Sequence, residues 1–204
     1  MKKLWPFLLI AFFLAACGPL PVPIDLLPAL RDGGYDQGTF TKTLAVPPGT
    51  TLEDQTVLFP DGNGFDLRFD VPSLPANPAS LVLDYQADFS YRVDCVDNLG
   101  GKISAQAYLA GDSAELWNSP LEGAAVSADL DAQGSLRLSG QARLTQAQLD
   151  AVMSGHAVLG LELATENTRG QASNEPACVQ DGQTLVRISG EYRIQRAVVE
   201  VRFF

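Results

Sequence analysis

The sequence predicts an all-β domain, an antiparallel β-sandwich or barrel-like fold with one short helix, and three observations support this prediction. Apolar and polar residues alternate with a period of two in most segments after residue 38. Turn sequences rich in glycine, asparagine and aspartate separate these segments. Only one segment has the residue spacing of a helix. We therefore divide the chain into residues 1–16, residues 17–38 and a β-sandwich domain over residues 39–204.

The clearest strand is the segment LVLDYQADFSYRVDC, residues 81–95. Its odd-numbered residues are apolar and end at Cys95, whereas its even-numbered residues are mostly charged or polar. One buried face and one solvated face are typical of an antiparallel sheet. The same alternation, in shorter form, predicts further strands in TFTKTLAV, FDLRFDV, KISAQAYLA, AAVSADL, SLRLSGQARL, HAVLGLELA and TLVRISGEYRI.

Two local features complete the prediction of secondary structure. In the last run the apolar residues change register between Ile194 and Val199, which predicts a β-bulge near Arg196 and Ala197. The segment LTQAQLDAVMSG predicts the helix, with Thr145 as its N-cap and Gly155 at its end.

The first residues of the chain have the pattern of an export signal. A basic pair, Lys2 and Lys3, precedes an apolar run from Leu4 to Ala16, which is shorter than the roughly 20 residues that span a bilayer as a helix. The run ends in LAAC, which resembles the lipobox of bacterial lipoproteins and has Cys17 as its cysteine. The alternative is an ordinary secretory signal that contains a cysteine.

The resemblance to bacterial lipoproteins implies a location and an anchor. Residues 1–16 would be a signal peptide, and Cys17 would become the mature N-terminus carrying acyl chains such as palmitate, which bind a membrane stably when two or more are present. In this family, Asp directly after the acylated cysteine often favours the inner membrane. Here Gly18 holds that position, so the resemblance implies the outer membrane or the cell surface. The prolines in residues 17–38 predict an extended tether between the anchor and the domain.

The two remaining cysteines predict a disulfide. Cys95 and Cys178 form an even pair in an exported chain, and neither has the neighbouring thiol of a CxxC metal or redox motif. A bond between them closes a loop of about 84 residues. The chain-entropy model gives such a bond roughly 4 to 5 kcal/mol of stability as an upper estimate.

The charge and motif content narrow the classes of partner. The net charge of −10 predicts repulsion of nucleic acid and of anionic lipid headgroups, although solubility alone also explains it. The sequence has no phosphate-binding glycine loop, cofactor motif or zinc-ligand spacing, so no cofactor is expected. The expected partners are the membrane, through the acyl chains, and an envelope protein or polymer.

Four polar clusters resemble catalytic or metal sites only weakly. His156 is the only histidine, and it follows Ser154 and Gly155 without a GxSxG elbow, so a local hydrogen bond is favoured over catalysis. The segment DGNGFD, residues 61–66, has calcium-ligand oxygens but Phe65 at one ligand position, which favours a hairpin turn. Either of the pairs Asp94 with Asp97 and Asp129 with Asp131 could supply the acid and base of a glycosidase, although acidic residues are common at loop edges.

The candidate binding residues are Tyr108, Trp117 and Asn118. Tyr108 is predicted on the outer side of its strand, and the other two lie in the loop ELWNSPLEG, so together they could form an aromatic platform for a sugar or a partner chain. The alternative is that Trp117 closes one end of the sandwich. The sequence thus favours a membrane-anchored, non-enzymatic binding or structural module, with an envelope hydrolase that uses acidic residues, or an assembly factor for a surface complex, as alternatives.

Overall fold

The computed structural model describes residues 21–73, 78 and 80–203, most of which lie in β-strands. The strands are, in chain order, β1 (Val22–Asp25), β2 (Gln37–Val46), β3 (Thr56–Phe59), β4 (Phe65–Arg68), β5 (Ser80–Asp94), β6 (Val96–Ala110), β7 (Pro120–Asp129), β8 (Gln133–Arg143), β9 (His156–Ala172), β10 (Val179–Gln180) and β11 (Gln183–Arg202). Helix α1 (Leu27–Asp32), helix α2 (Gln146–Met153) and a 3-10 helix (Leu116–Asn118) lie between them. None of these helices is long and apolar enough to cross a bilayer. The predicted all-β class is confirmed.

The strands form two antiparallel sheets that pack face to face. Sheet A has the order β2–β11–β5–β8, with β1 pairing farther along the same edge of β11, and sheet B has the order β3–β9–β6–β7, with β4 beside β3 on the edge of β9. Strands β5, β6, β7 and β8 lie in sheets A, B, B and A in turn. Strand β9 then pairs with the remaining edge of β6, and β11 pairs with the remaining edge of β5. This nested order is that of a jelly roll.

Strand β5 shows why these residues form the sandwich. Its odd-numbered residues from Leu81 to Val93 are buried, and its even-numbered residues from Asp84 to Asp94 are half-buried or exposed. The period of two therefore directs the apolar side chains toward sheet B. Phe89 is 1% exposed, and its replacement by alanine would destabilise the fold by about 3 to 5 kcal/mol.

An aromatic cluster joins the two sheets in the core. Phe40 and Tyr192 of sheet A contact Phe59 of sheet B with ring centroids 4.9 and 5.4 Å away. Two more rings extend the cluster: the Phe89 centroid lies 6.0 Å from that of Phe59, and the Phe65 centroid lies 5.9 Å from that of Tyr192. The tilted and edge-to-face ring pairs are the arrangements that aromatic quadrupoles favour.

The predicted disulfide between Cys95 and Cys178 is confirmed, with Cα atoms 5.5 Å apart. Cys95 is the single residue between β5 and β6, where the chain crosses from sheet A to sheet B, and its φ of +66° is uncommon for a residue with a side chain. Cys178 directly precedes β10. The bond thus fastens the crossing between the sheets to the start of the β10–β11 hairpin.

The predicted tether is wrong for residues 22–38, which belong to the folded domain. Strand β1 pairs with β11, and Leu26 and Leu30 are 1% and 0% exposed. The prolines have other functions here: Pro23 lies in an edge strand, where a missing N–H is tolerated, and Pro28 lies in the first turn of α1. Cys17 and the rest of the predicted signal segment lie outside the described residues.

The predicted helix is confirmed as α2, and its start follows the predicted cap. The Thr145 side chain accepts a hydrogen bond from the Gln148 N–H, and the Gln148 side chain accepts one from the Thr145 N–H. The buried Gln148 amide also donates to the carbonyls of Leu109 and Ser119, which holds α2 against β6. Helix α1 was not predicted.

The predicted bulge in β11 is confirmed. The register against β5 shifts between Ile194 and Arg196, so that Gln195 and Arg196 both face outward. Beyond the bulge, alternate apolar side chains point into the core again: Ala197, Val199 and Val201. A bulge therefore reconciles the two registers that the sequence shows.

The turn between β3 and β4 differs from the predicted hairpin. Both strands pair with β9, one after the other, and they do not pair with each other. Within the turn, the Asp61 carboxylate accepts the Asn63 N–H at 2.7 Å. Within the described residues, no group of three or more His, Cys, Asp or Glu side chains could hold a metal ion, so the structure adds no support for a calcium loop.

Candidate functional site

The structure brings two of the three predicted binding residues into contact on the outer face of sheet B. The rings of Tyr108 and Trp117 meet edge to face with centroids 5.2 Å apart. Both rings are half-buried and pack against a small apolar cluster that includes Leu116 and Val158. We call the group of Tyr108, Leu116, Trp117 and Val158 the aromatic patch.

A glycine allows the aromatic patch to lie against the sheet. A Cβ atom at Gly160 in β9 would be only 2.8 Å from the Trp117 ring and 3.0 Å from Leu116. The absence of a side chain at Gly160 therefore leaves room for the 3-10 helix to cover the middle of sheet B.

The polar atoms of the patch already have partners within the protein. The indole N–H of Trp117 donates to the Gly62 carbonyl at 2.7 Å, and the Tyr108 hydroxyl donates to the Glu162 carboxylate at 3.1 Å. Burial, followed by the charge and hydrogen bond of Glu162, raises the pKa of Tyr108 to about 12. These contacts hold the loop of residues 61–64 and the 3-10 helix on the sheet, which is a structural role.

Asn118 is exposed at the end of the 3-10 helix. The binding role predicted for Tyr108, Trp117 and Asn118 stays a prediction. The alternative that Trp117 closes the end of the sandwich also needs correction, because Trp117 lies on the outer face of sheet B.

The lone histidine makes a cross-strand contact. His156 Nε2 lies 2.6 Å from Asp66 Oδ1, between β9 and β4. The Ser154 hydroxyl donates to the Ala151 carbonyl and does not contact the imidazole. The three side chains therefore do not form a catalytic triad.

One member of each candidate acid–base pair is bound to a cation. Asp94 Oδ1 lies 2.7 Å from Arg92 Nε, and Asp129 Oδ1 lies 2.6 Å from Lys102 Nζ. The Lys102 hydrogen bond and charge lower the pKa of Asp129. A general acid of a glycosidase needs a raised pKa, so Asp129 is unsuited to that role.

The outer face of sheet A has a feature that the sequence analysis missed. Of the ten arginines in the chain, seven point outward from its strands. We call this surface the arginine face. Its members are Arg92, Arg137, Arg143, Arg187, Arg193, Arg196 and Arg202. Six acidic residues share the face, Asp25, Asp84, Asp88, Asp94, Glu191 and Glu200, against its seven arginines, so its local charge is slightly positive in a chain whose net charge is −10.

The charges on the arginine face are layered. In the four ion pairs of this face the arginine side chains are between 49% and 68% exposed, whereas their acidic partners are between 24% and 36% exposed. The short carboxylates lie close to the sheet, and the longer arginine side chains extend above them. Solvent therefore meets mainly guanidinium groups.

A groove of about 1070 Å³ crosses the middle of the arginine face. It runs over all four main strands of sheet A and covers two adjacent outward rows of register partners. Arg193 of β11, Asp88 of β5 and Arg137 of β8 form one row, and Glu191, Ser90 and Ser135 form the next. Hydroxyl and amide side chains complete the lining: Gln37, Thr39, Ser90, Ser135 and Gln195.

Hydrogen bonds fix the polar side chains in the floor of the groove. Asp88 accepts from Arg137 Nε at 2.7 Å and from the Gln195 amide, and Gln195 in turn accepts from Gln86 at 2.6 Å. The Asp88 hydrogen bond and charge raise the pKa of Arg137. A polar floor that is ordered in advance reduces the entropy that a ligand would lose on binding.

The sequence contains a partial signal for this face. The polar positions of β5 and the four arginines between residues 187 and 202 are visible in the printed sequence. Their convergence is not, because it depends on the order β11–β5–β8 and on the bulge that turns Arg196 outward.

Comparisons with known proteins give only weak structural similarities. No protein-family model matches the chain, and no curated protein matches its sequence. Among solved structures, a chain of the Triatoma virus empty capsid is 10% identical with a TM-score of 0.33, and the alignment covers 89% of this chain and 90% of that one. A chain of the Israeli acute paralysis virus particle is 10% identical with a TM-score of 0.31, over 91% and 76%. A chain of deformed wing virus, a honeybee pathogen, is 11% identical with a TM-score of 0.33, over 83% and 49%. Likenesses at this level carry no argument about function.

Proposed function

We propose that the protein is a lipid-anchored, non-enzymatic binding module of the cell envelope, and that it binds its partner at the groove of the arginine face. The observation that carries the proposal is the groove itself, an open concavity of about 1070 Å³ whose polar floor is ordered by the hydrogen bonds of Asp88. Concave sites with a few fixed polar groups are the usual form of binding sites.

The anchor is proposed from the resemblance at Cys17, and the fold places limits on its reach. Four residues separate Cys17 from β1, and five residue steps span at most about 18 Å. An acylated Cys17 would therefore hold the β1 edge of sheet A close to the membrane. The groove lies about seven residues farther along β5, roughly 24 Å at the rise of a strand, so the anchor leaves it accessible.

Crosslinking in intact cells tests the binding site. A photoreactive amino acid replaces Ser90 or Ser135 in the groove, or, as matched controls, Ser104 or Ser127 on the outer face of sheet B. We expect crosslinked products from the two groove positions and few from the controls. Equal yields from both faces would refute the groove as the binding site. A single stoichiometric protein partner would favour the role of assembly factor.

Replacement of the anchor residue tests the location. We expect Cys17→Ser to move the mature protein from the membrane fraction to the soluble fraction of lysed cells, because the thiol is the acceptor of the acyl chains. Mass analysis of the wild-type N-terminus should show the added acyl mass. A Cys17→Ser protein that sediments with membranes as fully as the wild type would contradict the anchor.

A further inference from the structure

We propose that the ligand of the groove is a carboxylate-bearing polysaccharide, bound across the strands of sheet A by the guanidinium groups of the arginine face. This inference rests on the groove being the binding site. It adds the chemical class of the ligand.

The free hydrogen-bond donors of the face point to a carboxylate. Arg92, Arg137 and Arg196 each meet their aspartate through Nε, and no acceptor within residues 21–73, 78 and 80–203 takes the N–H groups of their terminal nitrogens. The two terminal nitrogens of a guanidinium form a fork that fits the two oxygens of a carboxylate. The ion pairs thus orient the arginines and leave the forks for a ligand.

One arginine at the groove has an unused charge. Arg193 lies across from Asp88, but that carboxylate is bound by Arg137 and Gln195, and Arg193 forms no ion pair with any described residue. The backbones of Arg137 and Arg193 lie on either side of β5, about 10 Å apart at the spacing of two strands. Two cationic side chains that rise from neighbouring strands in this way suit anionic groups that recur along a chain.

The rest of the lining selects a ligand that is sparsely charged and rich in hydroxyl groups. The groove also contains the carboxylates of Asp88 and Glu191, which would repel a polymer with a phosphate at every short step. Sugar hydroxyl groups both donate and accept, so they can bond to Glu191, to Thr39 and to the amide of Gln37. A polysaccharide with one carboxylate per sugar can bind the guanidinium groups through its carboxylates and the other polar side chains of the groove through its hydroxyl groups.

The shape of the groove sets the direction of the chain. The groove spans four strands, which is about 15 Å at 4.7 to 4.9 Å per strand. Arg196 and Arg92 border it one level below and one level above. A short stretch of a linear polymer that crosses the strands would therefore lie between two further guanidinium groups.

Calorimetric titration of the full chain in detergent tests the ligand class. The probes are oligogalacturonate, neutral oligogalactan of equal length and polyphosphate. We expect oligogalacturonate to bind at least about tenfold more tightly than the other two, because each carboxylate bound by a guanidinium fork gives a charge-assisted hydrogen bond. Absence of oligogalacturonate binding, equal binding of oligogalactan or tighter binding of polyphosphate would each overturn the proposal.

Matched variants locate the binding on the face. We expect Arg137→Gln with Arg193→Gln to weaken oligogalacturonate binding at least about tenfold. Arg68→Gln with Arg169→Gln removes the same charge from the β4 and β9 strands of sheet B, and we expect a change below about twofold there. Equal losses in the two double variants would overturn the site, and thermal unfolding confirms that both are folded.

The outcomes separate this inference from the proposed function. If oligogalacturonate does not bind but the groove still gives crosslinks in cells, the ligand class is wrong and the binding module stands. If the crosslinks show no preference for the groove, the binding site itself is wrong.

Discussion

The outer faces of the two sheets are built on similar strands but differ in what lies over them. On sheet B, Gly160 leaves space for Leu116 and Trp117, and the 3-10 helix covers the middle of the sheet. On sheet A the corresponding region holds layered charges around an open groove. Covered aromatic residues mainly stabilise this fold, whereas exposed and oriented arginines are free to bind a ligand. Five changes test this contrast, in order of decreasing expected effect.

Removal of the disulfide should destabilise both sheets, because Cys95 lies where the chain crosses from one sheet to the other. We expect Cys95→Ala with Cys178→Ala to lower the free energy of unfolding by up to about 4 kcal/mol, because the unfolded chain gains the freedom of a long loop. Urea unfolding under oxidising conditions measures it. A loss below about 1 kcal/mol would show that the bond contributes little to the stability of the sandwich.

Truncation of Leu116 in the aromatic patch should lower the stability of the fold and leave ligand binding at the groove unchanged. We expect Leu116→Ala to cost about 3 kcal/mol, since Leu116 is fully buried and its loss leaves a cavity. Urea unfolding gives the free energy, and Trp117 fluorescence should shift to the red as the ring becomes more exposed. An unchanged free energy of unfolding would mean that the patch is not a structural element.

A side chain at Gly160 should separate the 3-10 helix from sheet B. We expect Gly160→Ala to cost about 1 to 3 kcal/mol, because its Cβ would overlap the Trp117 ring. Gly100, a strand glycine without a positive φ where a Cβ meets nothing within 4 Å, provides a control for the loss of a glycine without the overlap. Hydrogen exchange at residues 115–119 should increase in the Gly160→Ala variant and not in the Gly100→Ala variant.

The phenol of Tyr108 should make the fold sensitive to alkali. Its pKa is raised from 10.0 to about 12 in the folded protein, so the folded state holds the proton more tightly than the unfolded state does. Stability is therefore complete below pH 10 and falls as pH rises from 10 to 12. We expect Tyr108→Phe to lose less stability than the wild type between pH 9 and 11, as measured by urea midpoints. Equal losses would show that Tyr108 does not contribute.

Substitution on the arginine face should leave stability nearly unchanged. We expect Arg187→Gln and Arg193→Gln each to change the free energy of unfolding by less than about 0.5 kcal/mol, because both side chains are exposed and unpaired among the described residues. A loss as large as that of Leu116→Ala would give the face a structural role and remove the contrast between the sheets.

Much of the local structure was predictable because it depends on neighbouring residues. The alternation in β5, the Thr145 cap and the bulge near Arg196 each follow from a side-chain period or a cap that the sequence displays directly. The disulfide was predictable from the count of cysteines, but the crossing that it fastens was not. The tether failed because prolines suit both an extended spacer and the β1 edge strand, and only contact with β11 decides between them.

The sequence alone determined the all-β class, the cysteine pair, the overall negative charge and the resemblance to a lipoprotein signal, since each depends on composition or on short-range pattern. The tertiary structure decided the order of the strands, and with it which outward residues become neighbours. Arg193, Asp88 and Arg137 are far apart in the chain and meet only because β11 and β8 pair with opposite edges of β5. Long-range pairing is set by the shared core between the sheets, so the arginine face exists only in the folded molecule.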